Sequence, residues 1–153
     1  IGEIVVNLEM LKACVRAAEV DASLNEWGVM CPAFGPLTAA RALFAGTMYP
    51  RMAEIIQLLG SSSLMGLPTE ADFTAEISPE LEKYLATDST GAQDRVRLFH
   101  LAWDVGCSAF GGRQTLYERF FGGDPVRNTM LLYQGYNKRT AIDRVQQFLE
   151  REG

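Results

Sequence analysis

The chain opens with apolar and polar positions that alternate at helical spacing. Apolar residues recur at three- and four-residue steps from about Gly2 to Ser23, which places them on one face of a helix. The following string WGVMCPAFGP contains two prolines and two glycines and predicts a connection. A second helix is expected after Pro36, up to about Leu59. Pro50 should kink or interrupt it near Thr47, because proline has no backbone N–H to donate.

The second half of the chain predicts further helices. A short one begins at Ser78-Pro79-Glu80, inside a loop-like stretch. The longest runs from about Ala92 to Phe121, is apolar on more than one face, and ends at a glycine pair. Asp124-Pro125 opens a helix that continues to about Tyr136. The last helix, roughly Arg139–Glu152, is amphipathic, and its apolar side should face inward.

The pattern as a whole indicates an all-α protein. No stretch alternates with a period of two, so no sheet is predicted. The fold class expected is an antiparallel helical bundle, with residues 1–153 forming one domain around one hydrophobic core. The chain begins in the middle of a helical pattern, without Met and without an N-cap residue. We therefore expect it to be a piece of a longer polypeptide.

Charge and cysteine content narrow the possible functions. Fourteen Lys and Arg against nineteen Asp and Glu give a net charge of −5, and no basic cluster offsets it. This balance argues against nucleic acid or a membrane surface as a partner. The three cysteines are scattered through the chain and are predicted to be small buried residues of a reducing compartment, which favours a cytoplasmic location.

Two short segments could carry chemistry. In QLLGSSS, residues 57–63, a helix ends at glycine and serines follow, which suits a phosphate, ribose or ring-edge acceptor. A plain helix-terminating turn would read the same way. In Phe110–Arg113, two glycines inside a helix each cost about 1 kcal/mol relative to alanine. That cost indicates close packing against another helix or against a ligand.

The remaining polar candidates have simpler readings. A corner at Leu116–Arg127 concentrates aromatic, basic and turn residues, which packing in a core would explain. His100 is the single histidine, so no histidine pair for a metal is present, and we expect a backbone carbonyl to satisfy its ring. Glu70 and Asp72 are expected to be surface or capping groups. No metal site and no catalytic residue are predicted from these residues.

Long strings of this chain resemble a known family. LGSSSLMGLPTEADF and DRVRLFHLAWDVGCSAFGGRQTLYERFFGGDPVRN look like the C-terminal part of the 4-hydroxyphenylacetate 3-hydroxylases, a group that includes the pyoverdine-chromophore biosynthesis hydroxylases. The resemblance covers nearly all of residues 30–150. It implies a bundle like the C-terminal domain of acyl-CoA dehydrogenases, which also builds a homotetramer, a dimer of dimers. The family's N-terminal helical domain and middle β-domain have no counterpart here.

The resemblance also implies a reaction. These proteins are the oxygenase components of two-component flavin monooxygenases, which use reduced flavin from a partner reductase, and O₂, to hydroxylate a phenol ortho to its hydroxyl group. The flavin is expected to be FAD, with FMN as the alternative. The residues that polarise the phenol lie in the family's other domains, so the isolated chain is expected to be inactive.

Two segments match flavin-contacting places in the related dehydrogenases. One is a Gln followed three residues later by Gly. The other is a Tyr-Glu-Gly corner, which an Arg-Phe-Phe insertion interrupts here. Arg113 is added as a phosphate or interface partner. The resemblance therefore predicts as flavin-binding residues Gln57, Gly60, Ser61, Ser62, Arg113, Tyr117, Gly123 and Asp124.

Two other functions stay open at this point. The chain could be a helical oligomerisation or interaction module without catalysis. It could also belong near the 4-hydroxybutyryl-CoA dehydratases, which hold an iron–sulfur cluster through cysteines and a histidine. The spacing of Cys14, Cys31 and Cys107 does not fit such a cluster.

Overall fold

The computed structural model describes residues 1–151 and consists mainly of helices. They are α1 (Gly2–Val20), α2 (Phe34–Leu43), α3 (Tyr49–Gly60), α4 (Ser78–Leu85), α5 (Ala92–Gly106), α6 (Ala109–Phe121), α7 (Pro125–Gly135) and α8 (Arg139–Arg151). Short 3₁₀ turns cover Ser61–Leu64 and Glu70–Thr74. The predicted all-α class is confirmed. The expected end of the last helix, Glu152, lies outside the described residues.

A small hairpin corrects the prediction that the chain has no strands. Strand β1 (Ser23–Leu24) pairs antiparallel with β2 (Met30–Cys31), so α1 ends at Val20 rather than at Ser23. The Asn25 side chain closes the loop, because its Oδ1 accepts the Val29 N–H at 2.9 Å. Gly28 supplies the left-handed conformation there, with φ of 74°. Strands of two residues are too short for a period-two pattern to show.

Pro50 interrupts the second predicted helix where the sequence indicated. A π-helical turn, Phe44–Met48, separates α2 from α3. Proline has no N–H to offer the carbonyl of Gly46, four residues earlier, so the regular ladder cannot continue through this point. The predicted interruption near Thr47 is confirmed, although the first part of the helix already begins at Phe34.

The long helix predicted from Ala92 to Phe121 is wrong, because it consists of two helices. Ser108 separates them: its Oγ donates to the Asp104 carbonyl at 2.7 Å and accepts the Gly111 N–H at 3.0 Å, which makes it the N-cap of α6. A Cβ on Gly111 would overlap the backbone oxygen of Val105. One of the two unusual glycines is therefore required by the tight corner between α5 and α6.

The described helices belong to two compact units. Residues 1–44 and those from 123 onward form the first, in which α2 packs against α1 and α7. Residues 45–122 form the second, in which α5 packs against α3, α4 and α6. The buried side chains of the first unit are Ala18, Thr38, Ala40 and Asn128. Those of the second are Ala45, Met48, Ile55, Leu64, Ala92 and Val96.

The apolar face of α8 does not face inward, which corrects the sequence expectation. Every residue of α8 from 139 to 150 is exposed, and the most covered of its four large apolar side chains is still 53% exposed. Those side chains are Ile142, Val145, Phe148 and Leu149. The aromatic residues of α6 are exposed in the same way, so they do not form a core either. The reason in both cases is that nothing within residues 1–151 covers them.

The neighbouring glycines of α6 give a matched test of the close contact at the corner between α5 and α6. We expect Gly111→Ala to lower the free energy of unfolding by roughly 2 kcal/mol or more, because the added Cβ meets backbone that cannot move aside. Gly112→Ala should raise it by up to about 1 kcal/mol, since a Cβ there meets no atom within 4 Å. Denaturant unfolding of both variants measures the difference. Equal effects would contradict the assigned close contact at Gly111.

Candidate functional site

The turn after α3 has an unusual backbone. Ser61 follows the helix with φ of 50° and ψ of −150°, and it is the one non-glycine residue with positive φ within residues 1–151. Such a conformation costs an L-residue on the order of 1–3 kcal/mol. The buried side chain of Leu64 folds back over Gly60, where a Cβ would lie within 2.8 Å of three Leu64 side-chain atoms. Gly60 is therefore needed to make room for Leu64.

Gln57, the first of the predicted flavin residues, also has a structural partner. Its Nε2 donates to the carbonyl oxygen of Gly106 at 2.5 Å, and so joins α3 to the end of α5. Gly106 lies close to α3 as well, because a Cβ there would be 3.2 Å from Cγ2 of Ile56. One N–H of the Gln57 amide is used in this contact, which leaves its Oε1 and its second N–H available to a ligand.

The turn after α3 presents three serines to solvent. Ser61, Ser62 and Ser63 are all exposed, and none of their hydroxyl groups forms a hydrogen bond within the described residues. Leu59, which precedes the turn, is 63% exposed. An open apolar groove of about 240 Å³ begins beside it. The groove is lined by Ile56, Leu59, Gly60, Leu98, Phe99 and Ala102.

Arg113 and Tyr117 lie on one exposed face of α6. Arg113 forms no ion pair within residues 1–151, and Glu118, its possible local partner, accepts a hydrogen bond from Gln114 at 2.8 Å instead. Tyr117 stacks on Phe121 with ring centroids 5.0 Å apart. The helical spacing of these side chains gives α6 an exposed aromatic face with a free guanidinium group within it.

Gly123 and Asp124 belong to the first unit and have local structural roles. Gly123 has φ of 99°, a conformation that favours glycine. The buried Asn128 donates from Nδ2 to the Gly123 carbonyl at 3.2 Å. Asp124 is the N-cap of α7, because its Oδ1 accepts the Arg127 N–H at 2.8 Å. The structure therefore groups the predicted residues as a turn at 57–62, a face of α6, and a capped corner at 123–124.

A cavity of about 420 Å³ was not predicted from the sequence. It lies in the second unit between α5 and the 3₁₀ turn at Glu70–Thr74. The ring of His100 forms a hydrogen bond to the Pro68 carbonyl at 2.9 Å, and Nε2 must be the donor because a carbonyl only accepts. The predicted carbonyl partner of His100 is thus confirmed. The spacing of Gln93, Arg97 and His100 on α5, four residues and then three, could have indicated this face.

Asp72 acts as a capping residue of the 3₁₀ turn Glu70–Thr74, as the sequence indicated. The Thr69 N–H donates to its Oδ2 at 2.6 Å, and the Thr69 hydroxyl donates to the same atom at 2.8 Å. These hydrogen bonds, the backbone one first, favour the charged form and lower the pKa of Asp72 below 3.8. No group of three His, Cys, Asp or Glu residues within residues 1–151 could hold a metal ion.

The lowered pKa of Asp72 predicts a pH dependence. Because the pKa is lower in the folded protein, the capping hydrogen bonds stabilise the fold above pH 3.8 and are lost as the pH falls through the folded-state pKa. We expect amide hydrogen exchange in residues 69–74, measured relative to the intrinsic rate at each pH, to accelerate in that acidic range. Asp72→Asn should abolish this acceleration while leaving the amides of α1 unchanged. The same acid response in both proteins would contradict the assignment.

A family model matches the chain over residues 1–150, and its description is 4-hydroxyphenylacetate 3-hydroxylase C terminal. The oxygenase component of 4-hydroxyphenylacetate 3-monooxygenase from Thermus thermophilus is 46% identical over 150 residues, which is 98% of this chain and 31% of the relative. A probable 4-hydroxyphenylacetate 3-monooxygenase from Bacillus subtilis is 44% identical over 149 residues, 97% of this chain and 31% of the relative. The chain spans about a third of the length of these relatives.

Solved structures agree with the fold. A crystal structure of a 4-hydroxyphenylacetate 3-monooxygenase oxygenase component, complexed with FAD and 4-hydroxyphenylacetate, is similar with a TM-score of 0.89 and 45% identity, over 99% of this chain and 32% of that one. An archaeal 4-hydroxybutyryl-CoA dehydratase from N. maritimus has a TM-score of 0.80 at 17% identity, over 97% of this chain and 30% of that one. At that identity the second similarity concerns the fold alone. No helix among the described residues is both long and apolar enough to cross a membrane.

Proposed function

Because the chain belongs to the 4-hydroxyphenylacetate 3-hydroxylase family through that family's C-terminal domain, we propose that it is the C-terminal part of a flavin-dependent aromatic hydroxylase. The observation that carries the proposal is an identity of 46% over 98% of this chain but only 31% of the relative. The substrate would be a phenol, hydroxylated ortho to its hydroxyl group. A separate reductase would supply the reduced FAD.

The contribution of this chain would be one wall of the flavin site. Bound reduced flavin supplies the activation of O₂. The exposed, unbonded hydroxyl groups of Ser61 and Ser62 can donate to or accept from its polar edge, and Oε1 of Gln57 can accept. The exposed guanidinium of Arg113 suits a phosphate. The apolar groove beside Leu59 would keep water away from the site.

Oligomer contacts are the second proposed contribution. The chain exposes 11437 Å², whereas a compact protein of this mass exposes about 7,700 Å² and two separate compact bodies of half the mass about 9,300 Å². The excess of roughly 2,100 Å² over the larger estimate exceeds the area that each partner loses in a standard protein interface. The apolar face of α8 would be buried against another copy of the chain.

The rival function, a helical module without catalysis, would account for the exposed apolar faces equally well. It does not account for the three exposed serines or for the unpaired Arg113, and these favour the oxygenase. The catalytic groups would lie in upstream domains that this chain does not contain. The cytoplasmic location, the separate reductase and the choice of FAD over FMN stay predictions.

The flavin proposal is tested in the polypeptide extended upstream to the length of its relatives. We expect it to bind reduced FAD under anaerobic titration and, with O₂, to convert 4-hydroxyphenylacetate to a catechol. Arg113→Ala should weaken FAD binding by roughly tenfold through loss of a charge-assisted hydrogen bond. Arg16→Ala is the matched control, since Arg16 is likewise an exposed helical arginine and lies on α1, in the first unit. Absence of both flavin binding and hydroxylation would reject the proposed function.

The oligomer proposal has its own matched pair on α8. Val145→Glu places a charge in the apolar face and should shift the assembly to smaller species, because burying an unpaired carboxylate is costly. Gln147→Glu adds the same charge on the opposite side of the helix and should leave the assembly intact. Sedimentation velocity measures both. An unchanged oligomer in Val145→Glu would show that this face is not an interface between copies.

A further inference from the structure

The conformation of Ser61 needs an explanation that a simple turn does not provide. Helices commonly end with glycine at the residue that takes a positive φ, because glycine has no Cβ to strain. In this chain the glycine stands one position earlier, at Gly60, and Ser61 takes φ of 50° with ψ of −150°. Strained residues of this kind persist only where the surrounding structure holds them, and they concentrate at functional sites.

Three contacts hold Ser61 in place. Its N–H donates to the Gln57 carbonyl, and the Gln57 side chain is itself fastened to Gly106. On the other side, Leu64 is only 4% exposed and its side chain covers Gly60, where no Cβ would fit. The turn between these two anchors thus has little freedom to relax.

The hydroxyl groups that this arrangement presents have no partners within the described residues. Ser61, Ser62 and Ser63 are exposed, and their hydroxyl groups form no hydrogen bond within residues 1–151. The anchors are thus tied into the second unit while the residues between them are turned outward. This is the arrangement expected of a preorganised binding turn, in which the conformation is fixed before the ligand arrives.

We propose that Leu64 and Gln57 are positioning residues, which hold Ser61 in a strained conformation so that the Ser61–Ser63 turn is preorganised to bind flavin. The inference rests on the proposed flavin site and deepens it. It also gives Gln57 a role through Gly106 that differs from a direct contact of its amide nitrogen with the flavin. Gly60 contributes to the same positioning, because its missing Cβ leaves room for the Leu64 side chain.

Substitutions at Ser61 separate the backbone effect from the hydroxyl group. In the full-length protein, Ser61→Gly should raise or preserve the melting temperature, because glycine accepts this conformation. It should nevertheless weaken FAD binding roughly three- to tenfold relative to Ser61→Ala, since glycine can also adopt backbone angles that a residue with a Cβ between these anchors cannot reach. Ser61→Ala lacks the same hydroxyl but keeps the Cβ. Ser89→Gly, at an exposed turn residue outside the site, is the control for a glycine in a loop and should leave FAD binding unchanged.

Substitutions at Leu64 test the anchor itself. Leu64→Ala should weaken FAD binding by a similar factor at temperatures well below its melting temperature, and Leu64→Met should restore most of the affinity because it refills the same volume. If Leu64 had only a structural role, Leu64→Ala would lower the melting temperature and leave the FAD affinity unchanged.

The outcomes distinguish the positioning role from the proposed function itself. Wild-type protein that binds FAD, with equal affinity in Ser61→Gly and Ser61→Ala, overturns the positioning role and leaves the proposed function standing. Wild-type protein that binds no reduced or oxidised FAD overturns both. Weaker binding in Ser61→Gly together with an undiminished melting temperature supports the positioning role.

Discussion

The main constraint on this structure is that the described residues bury little of their own apolar surface. Within residues 1–151 eight apolar side chains are buried, whereas thirty-five large apolar side chains stay exposed. Hydrophobic burial is the main favourable term in folding, so the helices need surfaces from elsewhere. That need is consistent with a chain that spans 31% of a relative, and it explains why amphipathic helices such as α8 have no partner within the described residues.

Where the chain does pack, close backbone contacts decide where helices end. Pro50 breaks the ladder at the π-helical turn before α3, and Ser108 with Gly111 closes the corner between α5 and α6. Gly123 and Asn128 form the corner before α7. At each of these places a missing donor, a capping side chain or a missing Cβ changes the chain direction. Contacts of this kind bury little apolar surface, so the apolar faces of the helices stay available to other surfaces.

Close contacts also hold the turn that is proposed to bind flavin. Gly60 leaves room for the Leu64 side chain, and the Gln57 amide donates to the Gly106 carbonyl. Two residues that the family resemblance assigns to flavin therefore have structural roles inside the second unit. The exposed serines are the part of the turn that this packing does not use. Binding groups held by residues that are themselves packed are better positioned than groups on a free loop.

For His100 the sequence indicated only that some backbone carbonyl would be its partner, and the tertiary structure supplied Pro68, 32 residues away. By itself the sequence determined the helical class, the interruption at Pro50 and the capping role of Asp72. These follow from short-range effects: helical spacing, a missing N–H, and side chains that satisfy nearby backbone groups. Only the tertiary structure decided the break at Ser108, the hairpin at Ser23–Cys31, the strain at Ser61 and the exposure of the apolar faces of α6 and α8. Periodicity shows that a helix has an apolar face, but it does not show which surface covers that face. That depends on residues far away in the sequence, and within residues 1–151 nothing covers the apolar faces of α6 and α8.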